Sequence, residues 1–229
     1  MRAVQTPHPP GAVCFASGEV PRYGTSIKCF QQLHVPGGSL ESWQLGCLVS
    51  HNLNLGLDAM MENPALQWAW IMGDDHLYSP DIILRLLDRG VDVVAPLCLN
   101  KYPPLEPTVI NQTLGRQKYL EELPTRGLYK LAADETCGDA GLLIRRTVLA
   151  ALERPYYNVH RSGEFKAEDQ TMVRKIQAAG FPVWIDVDQA IDHIGNVALR
   201  AVVVNDQWHI RLTGGGKHIV DIQARRATP

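Results

Sequence analysis

Two neighbouring carboxylates and an imidazole, Asp74-Asp75-His76, follow directly on the apolar run Trp68-Ala-Trp-Ile-Met72 and a single Gly73. Adjacent carboxylates repel one another unless a cation or hydrogen-bond donors neutralise them. A divalent ion with oxygen ligands is the simplest neutraliser, and a phosphate-bearing substrate suits such an ion. A buried strand ending in these residues would place them where open α/β sheets bind ligands, at the carboxyl ends of the strands. The same tip also suits a solvated turn, because Asp and Gly are ordinary turn residues. Two more pairs stand at element ends: Glu168-Asp169 opens a helical pattern, and Asp192-His193 closes a short apolar run. Each has a structural explanation of its own. Acids at a helix start gain about 0.3–1 kcal/mol from the dipole, and a lone histidine at a strand end is commonly structural.

The elements that must position these groups alternate between strand and helix. Gly11–Ala16, Trp68–Met72 and Val91–Leu97 read as buried neighbouring strands, being apolar and free of charge. Leu45–Val49 reads as a further strand, and Gly138–Ile144 as a small-residue bend entering another. Helices are expected over Ile27–Leu33, from Ser50 to Glu62, from Ser79-Pro80 to Gly90, from Arg146-Thr147, and over Ala167–Ala179. The last carries Met172, Val173 and Ile176 on one face. Phe181–Asp186 and Ala190–Ile194 read as short strands. Residues 100–136 lose the rhythm, because Pro103, Pro104 and Pro107 remove donors and fix φ. They are expected as an irregular wall or lid. Val202–Val204, Trp208–Leu212 and His218–Ile222 suggest a β-ribbon turned at Gly214-Gly-Gly216. Residues 1–10 are expected as a flexible arm, and Arg225–Pro229 should fray.

Composition narrows the classes. The chain has 229 residues, enough for one full core. A formal net charge of −2 argues against direct nucleic-acid binding, which needs a basic footprint. No apolar run approaches the roughly 20 residues of a membrane helix. The N-terminus lacks a secretory apolar segment, and Asn111-Gln-Thr113 is read as a chance sequon. The five cysteines (Cys14, Cys29, Cys47, Cys98, Cys137) form no Cys-x-x-Cys pair. That dispersal predicts buried thiols in a reducing compartment and a cytoplasmic protein.

The order of the three clusters resembles the GT-A glycosyltransferases, the nucleotide-sugar-dependent family-2-like group. Trp-Ala-Trp-Ile-Met-Gly-Asp-Asp-His is similar to that family's strand and Asp-x-Asp tip. Ala-Glu-Asp-Gln-Thr-Met-Val-Arg-Lys-Ile is similar to its Glu-Asp helix, and Trp-Ile-Asp-Val-Asp-Gln-Ala-Ile-Asp-His resembles its closing metal-binding strand. Gly138-Asp-Ala-Gly-Leu-Leu-Ile resembles its acceptor-side loop. The likeness spans about residues 11–196 and departs at Gly73, which takes the place of the first Asp. It implies an α/β, GT-A-like (Rossmann-like) fold with a central, mostly parallel sheet flanked by helices. Residues 11–199 would be the catalytic domain, and 200–229 a ribbon extension of it.

The resemblance also implies site roles. Asp75 and His193 would hold Mn²⁺ or Mg²⁺. Ser17, Gly18, Glu19, Asp74 and Asp75 would meet the donor, whose diphosphate the ion neutralises. Lys101, Tyr102, Gly138 and Asp139 would lie on the acceptor side. Asp169, or Glu168 beside it, would take the acceptor hydroxyl proton, with inversion at the anomeric carbon. Two alternatives stay open. A metal-dependent phosphoester hydrolase would use the same tip, although His34, His51, His160, His209 and His218 are too dispersed to show a second metal cluster. Gly73 leaves room for a catalytically silent nucleotide-sugar-binding module.

Overall fold

The computed structural model describes residues 1–18, 23–46, 48–102, 105–158, 168–195, 198–214 and 217–223, with the side chains at 168, 169, 214, 217 and 218 outside that description. The first half of the chain runs β1 (Arg2–Val4), β2 (Ala12–Ser17), α1 (Gly24–Gln32), β3 (His34–Pro36), β4 (Leu40–Leu45), α2 (Val49–Glu62), β5 (Trp68–Met72), β6 (His76–Leu77), α3 (Ile82–Asp88) and β7 (Val93–Leu97). It continues with β8 (Val109–Asn111), β9 (Arg116–Gln117), a 3₁₀ turn (Leu120–Glu122), β10 (Leu128–Lys130), β11 (Glu135–Cys137), β12 (Leu143–Arg145) and α4 (Arg146–Ala151). The last part holds α5 (Glu168–Ala178), β13 (Trp184–Ala190), β14 (Asp192–Ile194), β15 (Ala198–Val204), β16 (Gln207–Gly214) and β17 (Lys217–Gln223).

Every residue of β2, β5 and β7 is buried. Their side chains alternate between two cores, one on each face of the sheet. Ala12, Cys14, Ala69 and Ile71 join the first core, with Leu53, Leu57 and Met60 of α2 and Met172, Val173 and Ile176 of α5. Val13, Phe15, Trp70 and Met72 join the second, with Phe30 of α1 and Ile82, Ile83 and Leu86 of α3. Each fully buried aliphatic or aromatic side chain stabilises by about 1.5–3 kcal/mol. These two faces account for the apolar runs that have no polar alternation.

The sheet itself differs from the expected one. Among the described residues four sheets form, and the central seven-stranded sheet has the order β10-β13-β7-β12-β5-β2-β4. Its six pairings divide evenly: β2–β4, β2–β5 and β13–β7 are parallel, whereas β12–β5, β12–β7 and β10–β13 are antiparallel. The GT-A-like (Rossmann-like), mostly parallel, helix-flanked sheet is therefore not what this chain makes. The physical cause is β12, which inserts antiparallel between β5 and β7, so that β7 neighbours β12 and not β5. Among the described residues strand outnumbers helix, and a small sheet, β11-β8-β9, shares the first core through Val109 and Cys137. That small sheet occupies part of the stretch expected to be irregular.

Other differences are local. The second strand is Leu40–Leu45 and not Leu45–Val49, because Val49 already opens α2. Residues 2–4, expected in a loose arm, pair in parallel with β3. The C-terminal ribbon does form, but it continues through β14 to β6 in one five-stranded sheet of order β17-β16-β15-β14-β6. Of the expected ribbon turn at Gly214-Gly-Gly216, Gly215 and Gly216 fall outside the described residues, as does the fraying of Arg225–Pro229. No helix among the described residues is long and apolar enough to cross a membrane. Cys14, Cys29, Cys98 and Cys137 are buried, and burial pushes the Cys14 thiol up to about 12.

The approach of β2 to β5 depends on Gly11. A Cβ there would lie 2.0 Å from a ring carbon of Trp68. The indole cannot swing aside freely, because it is fully buried and its Nε1 donates to the Pro9 carbonyl at 2.8 Å. Gly11→Ala is therefore expected to destabilise by about 1–3 kcal/mol, the usual range for overpacking. Thermal unfolding followed by circular dichroism should show the midpoint fall by roughly 2–4 °C per kcal/mol. An unchanged midpoint would mean that this contact relaxes at no cost.

Candidate metal and nucleotide site

The ends of β5, β7 and β13 converge on Asp75. After Met72 the chain turns through Gly73–Asp75 into β6, which pairs antiparallel with β14 and sets His76 directly opposite His193. The two rings stack with centroids 4.3 Å apart and an interplanar angle of 21°, the close contact expected of facing residues on adjacent strands. Ile194 N–H donates to the Asp75 carbonyl at 2.8 Å, and Ile191 N–H to the Leu97 carbonyl at 2.9 Å. Backbone pairing alone thus carries His193 to the tip, far away in sequence.

One contact of His193 places a proton on Nδ1. Its Nδ1 lies 2.8 Å from the Leu99 carbonyl, which can only accept, so Nδ1 carries the proton. That leaves Nε2, 3.4 Å from Asp75 Oδ2, as the ring nitrogen that faces the carboxylate. A backbone carbonyl holding the far nitrogen is the usual support of a metal-ligating histidine. Cys98 Sγ is 3.9 Å from Nδ1, and His76, Cys98 and His193 have possible ligand atoms within 4.8 Å of one another. That trio is a poor ligand set as it stands. Its rings lie face to face, so their in-plane lone pairs do not converge, and Nδ1 of His193 is already committed. Burial raises the Cys98 thiol further from ionisation.

Asp75 is the charge centre. Oδ2 accepts from Lys101 Nζ at 2.5 Å, and Oδ1 lies 2.9 Å from His76 Nδ1. Burial pushes the Asp75 carboxyl up, but His193, His76 and Lys101 together outweigh this and hold it well below the usual carboxylate range. A carboxylate depressed on folding contributes stability that is present above its unfolded value, about 3.9, and is lost as the pH falls. The stability gap between the wild type and Asp75→Asn should therefore shrink below about pH 4. Urea unfolding at neutral and acid pH measures it; a gap that widens on acidification would contradict the assignment.

A cleft of about 410 Å³ opens at this end of the sheet, lined by Ala16, Ser17, Gly18, Val49, Gly73, Asp74, Asp75, His76, Asp139 and Ala140. Ser17 Oγ donates to Asp74 Oδ2 at 2.7 Å, and Tyr157 Oη donates to Asp139 Oδ2 at 2.9 Å. Both carboxylates are thus oriented by neighbours. His193 and Lys101 reach Asp75 from outside this lining. At Gly73 a Cβ would lie 3.3 Å from His76 Nδ1 and 3.4 Å from Asp75 Oδ1. A carboxylate side chain at 73 would be crowded against Asp75, so glycine fits this packing.

The structure brings Ser17, Gly18, Asp74, Asp75 and Asp139 to one cleft and sets His193 against Asp75. Lys101, expected on the acceptor side, is instead bound to Asp75, while its neighbour Tyr102 is exposed. Gly138 N–H donates to the Thr108 carbonyl at 3.1 Å, and Gly138 is not among the cleft residues. Asp192 is taken by Arg200 at 2.5 Å. Glu19 lies outside the described residues; Glu168 and Asp169 open α5, but their side chains lie outside the description. Cys98 and the Lys101–Asp75 pair were not anticipated. Cys98 and Lys101 both follow the end of β7, a strand end of the kind that marked Asp75, but that position does not say which group each side chain meets.

A second cleft, of about 490 Å³, is lined by Arg126, Arg200, Arg211, Asp188 and Trp208 among others. Its guanidinium groups already have carboxylate partners: Arg200 has Asp192, Arg211 has Asp221 at 2.7 Å, and Arg126 has Asp206 at 3.4 Å. The Asp75 end of the sheet is the stronger candidate for chemistry.

No protein-family model and no curated protein matches this sequence. Among solved structures, the chain is similar to the crystal structure of A197 from STIV, with a TM-score of 0.59 and 12% sequence identity, over 94% of this chain and 100% of that one. At that identity the likeness is one of fold: the same architecture, over nearly the whole of both chains.

Proposed function

We propose that this chain is a metal-dependent glycosyltransferase, moving a sugar from a nucleoside diphosphate sugar to an acceptor hydroxyl. The observation that carries the reading is the meeting of Asp75 and His193, 3.4 Å apart, beside a cleft at the strand ends. Ligand bonds to a divalent ion are about 2 Å long, so two ligands of one ion lie about 3 Å apart. The Asp75–His193 spacing fits that requirement, and the Leu99 carbonyl leaves Nε2 of His193 as the donor atom. A carboxylate with an imidazole suits Mn²⁺, with Mg²⁺ the alternative.

A bound ion would neutralise the departing diphosphate as a Lewis acid. Ser17 orients Asp74 for the donor ribose, and Tyr157 holds Asp139, in the same cleft, for the acceptor side. The motif order assigns Asp169, or Glu168 next to it, as the base that takes the acceptor proton. Attack from the face opposite the leaving group inverts the anomeric centre.

The test is a panel of nucleoside diphosphate sugars offered with Mn²⁺, reading free nucleotide released. Release that depends on both sugar and acceptor supports transfer. Phosphate release from simple phosphoesters would turn the reading into a hydrolase. Nucleotide-sugar binding with no turnover on any acceptor would make the chain a silent binding module.

A further inference from the structure

Lys101 occupies the position from which a metal would bind. Its Nζ lies 2.5 Å from Asp75 Oδ2, the same oxygen that is 3.4 Å from His193 Nε2. The lysine is largely buried there, with 13% side-chain exposure. A divalent ion on that oxygen and an ammonium at hydrogen-bond distance from it would repel strongly in a site this dry. The lysine has somewhere to go. Its stem is four flexible carbons long, and the Tyr102 ring, 65% exposed, has its centroid 5.8 Å from the same Nζ. An aromatic face near the surface offers an ammonium a second seat.

We infer that Lys101 is a built-in counter-cation that competes with divalent metal for Asp75. In the free protein the ammonium satisfies the buried carboxylate. Metal binds only by displacing it toward Tyr102, so the site has a low affinity for metal alone. Lys101 is thereby a positioning residue, one that sets metal occupancy through Asp75. This inference rests on Asp75 and His193 being the metal ligands.

The experiment measures Mn²⁺ binding to the nucleotide-free protein by calorimetry and by the electron paramagnetic signal of free Mn²⁺. Lys101→Met should bind Mn²⁺ at least about tenfold more tightly than the wild type, since charge competition is removed while stem volume is kept. Lys101→Arg, which keeps the charge, should bind no more tightly than the wild type. Equal or weaker Mn²⁺ binding by Lys101→Met overturns the inference, as does an Arg variant that gains affinity like Met. A second readout uses the unmodified chain. Acetylation of Lys101 by acetic anhydride, followed by peptide mass spectrometry, should speed up when Mn²⁺ is added. Unchanged or slowed acetylation counts against displacement, even if the Met variant fails to fold. Asp75→Asn separates the two levels. If that variant binds Mn²⁺ like the wild type, the ligand assignment itself is wrong; if it loses Mn²⁺ and Lys101→Met gains none, only the lysine's role falls.

Discussion

Asp75→Ala abolishes Mn²⁺-dependent nucleotide binding while the chain stays folded: this is the largest effect expected of any single substitution in the site. Among the described residues Asp75 is the carboxylate that His193, His76 and Lys101 all approach. Loss of groups that merely support a ligand costs about 10–100-fold in metal affinity, so loss of the ligand itself should exceed that. The fold has a separate foundation, because the two cores lie in the sheet faces and not at the tip. Some stability will be lost, since the Lys101 ammonium is left without its acceptor, a cost of about 1–3 kcal/mol for an unsatisfied buried group. Calorimetry with Mn²⁺ and nucleotide, together with a thermal melt, reads both quantities. Unchanged nucleotide binding in a folded Asp75 variant would move the site elsewhere.

The second large effect is on turnover. Asp169→Asn should lower transfer by ~10²–10⁴-fold with nearly normal donor binding, as removal of a general base does. The competing explanation is an acid that stabilises a helix start, and α5 does begin at Glu168. An acid of that kind can become Asn at a cost below about 1 kcal/mol, with little effect on rate. Kinetics and nucleotide affinity measured on Asp169→Asn and Glu168→Gln distinguish the two. Near-normal transfer by Asp169→Asn returns it to the helix-stabilising role; failure of Glu168→Gln alone moves the base by one residue.

The strands themselves were legible because Ala12–Ser17, Trp68–Met72 and Val93–Leu97 carry no charge and are buried on both faces. Their directions were not. A short buried strand such as Leu143–Arg145 has the same apolar character whichever way it runs, and alternation with helices suggests parallel pairing by default. The return path through residues 98–142 reverses the chain, and only the register with Trp70 and Val94 reveals it. Leu40–Leu45 escaped for another reason: as an edge strand it exposes Glu41, Trp43 and Leu45, so its pattern lacks the continuous apolar run. In the site, the motif order named Asp75 and His193 together, and the structure sets them 3.4 Å apart. Lys101 could not be placed in this way, because nothing in sequence order says where a long side chain sets its charge.

The pairing of β6 with β14 ties the tip to the end of the chain. His193 faces Asp75 because a ladder holds it there, and that ladder continues outward through β15, β16 and β17. The imidazole's time in position is therefore bounded by how often the ladder unzips from its free edge. A nick in the last hairpin would first appear as a histidine that wanders, while the buried sheet and its two cores stayed closed. Amide exchange at Ile194, whose N–H is spent on the Asp75 carbonyl, is the natural clock for that opening.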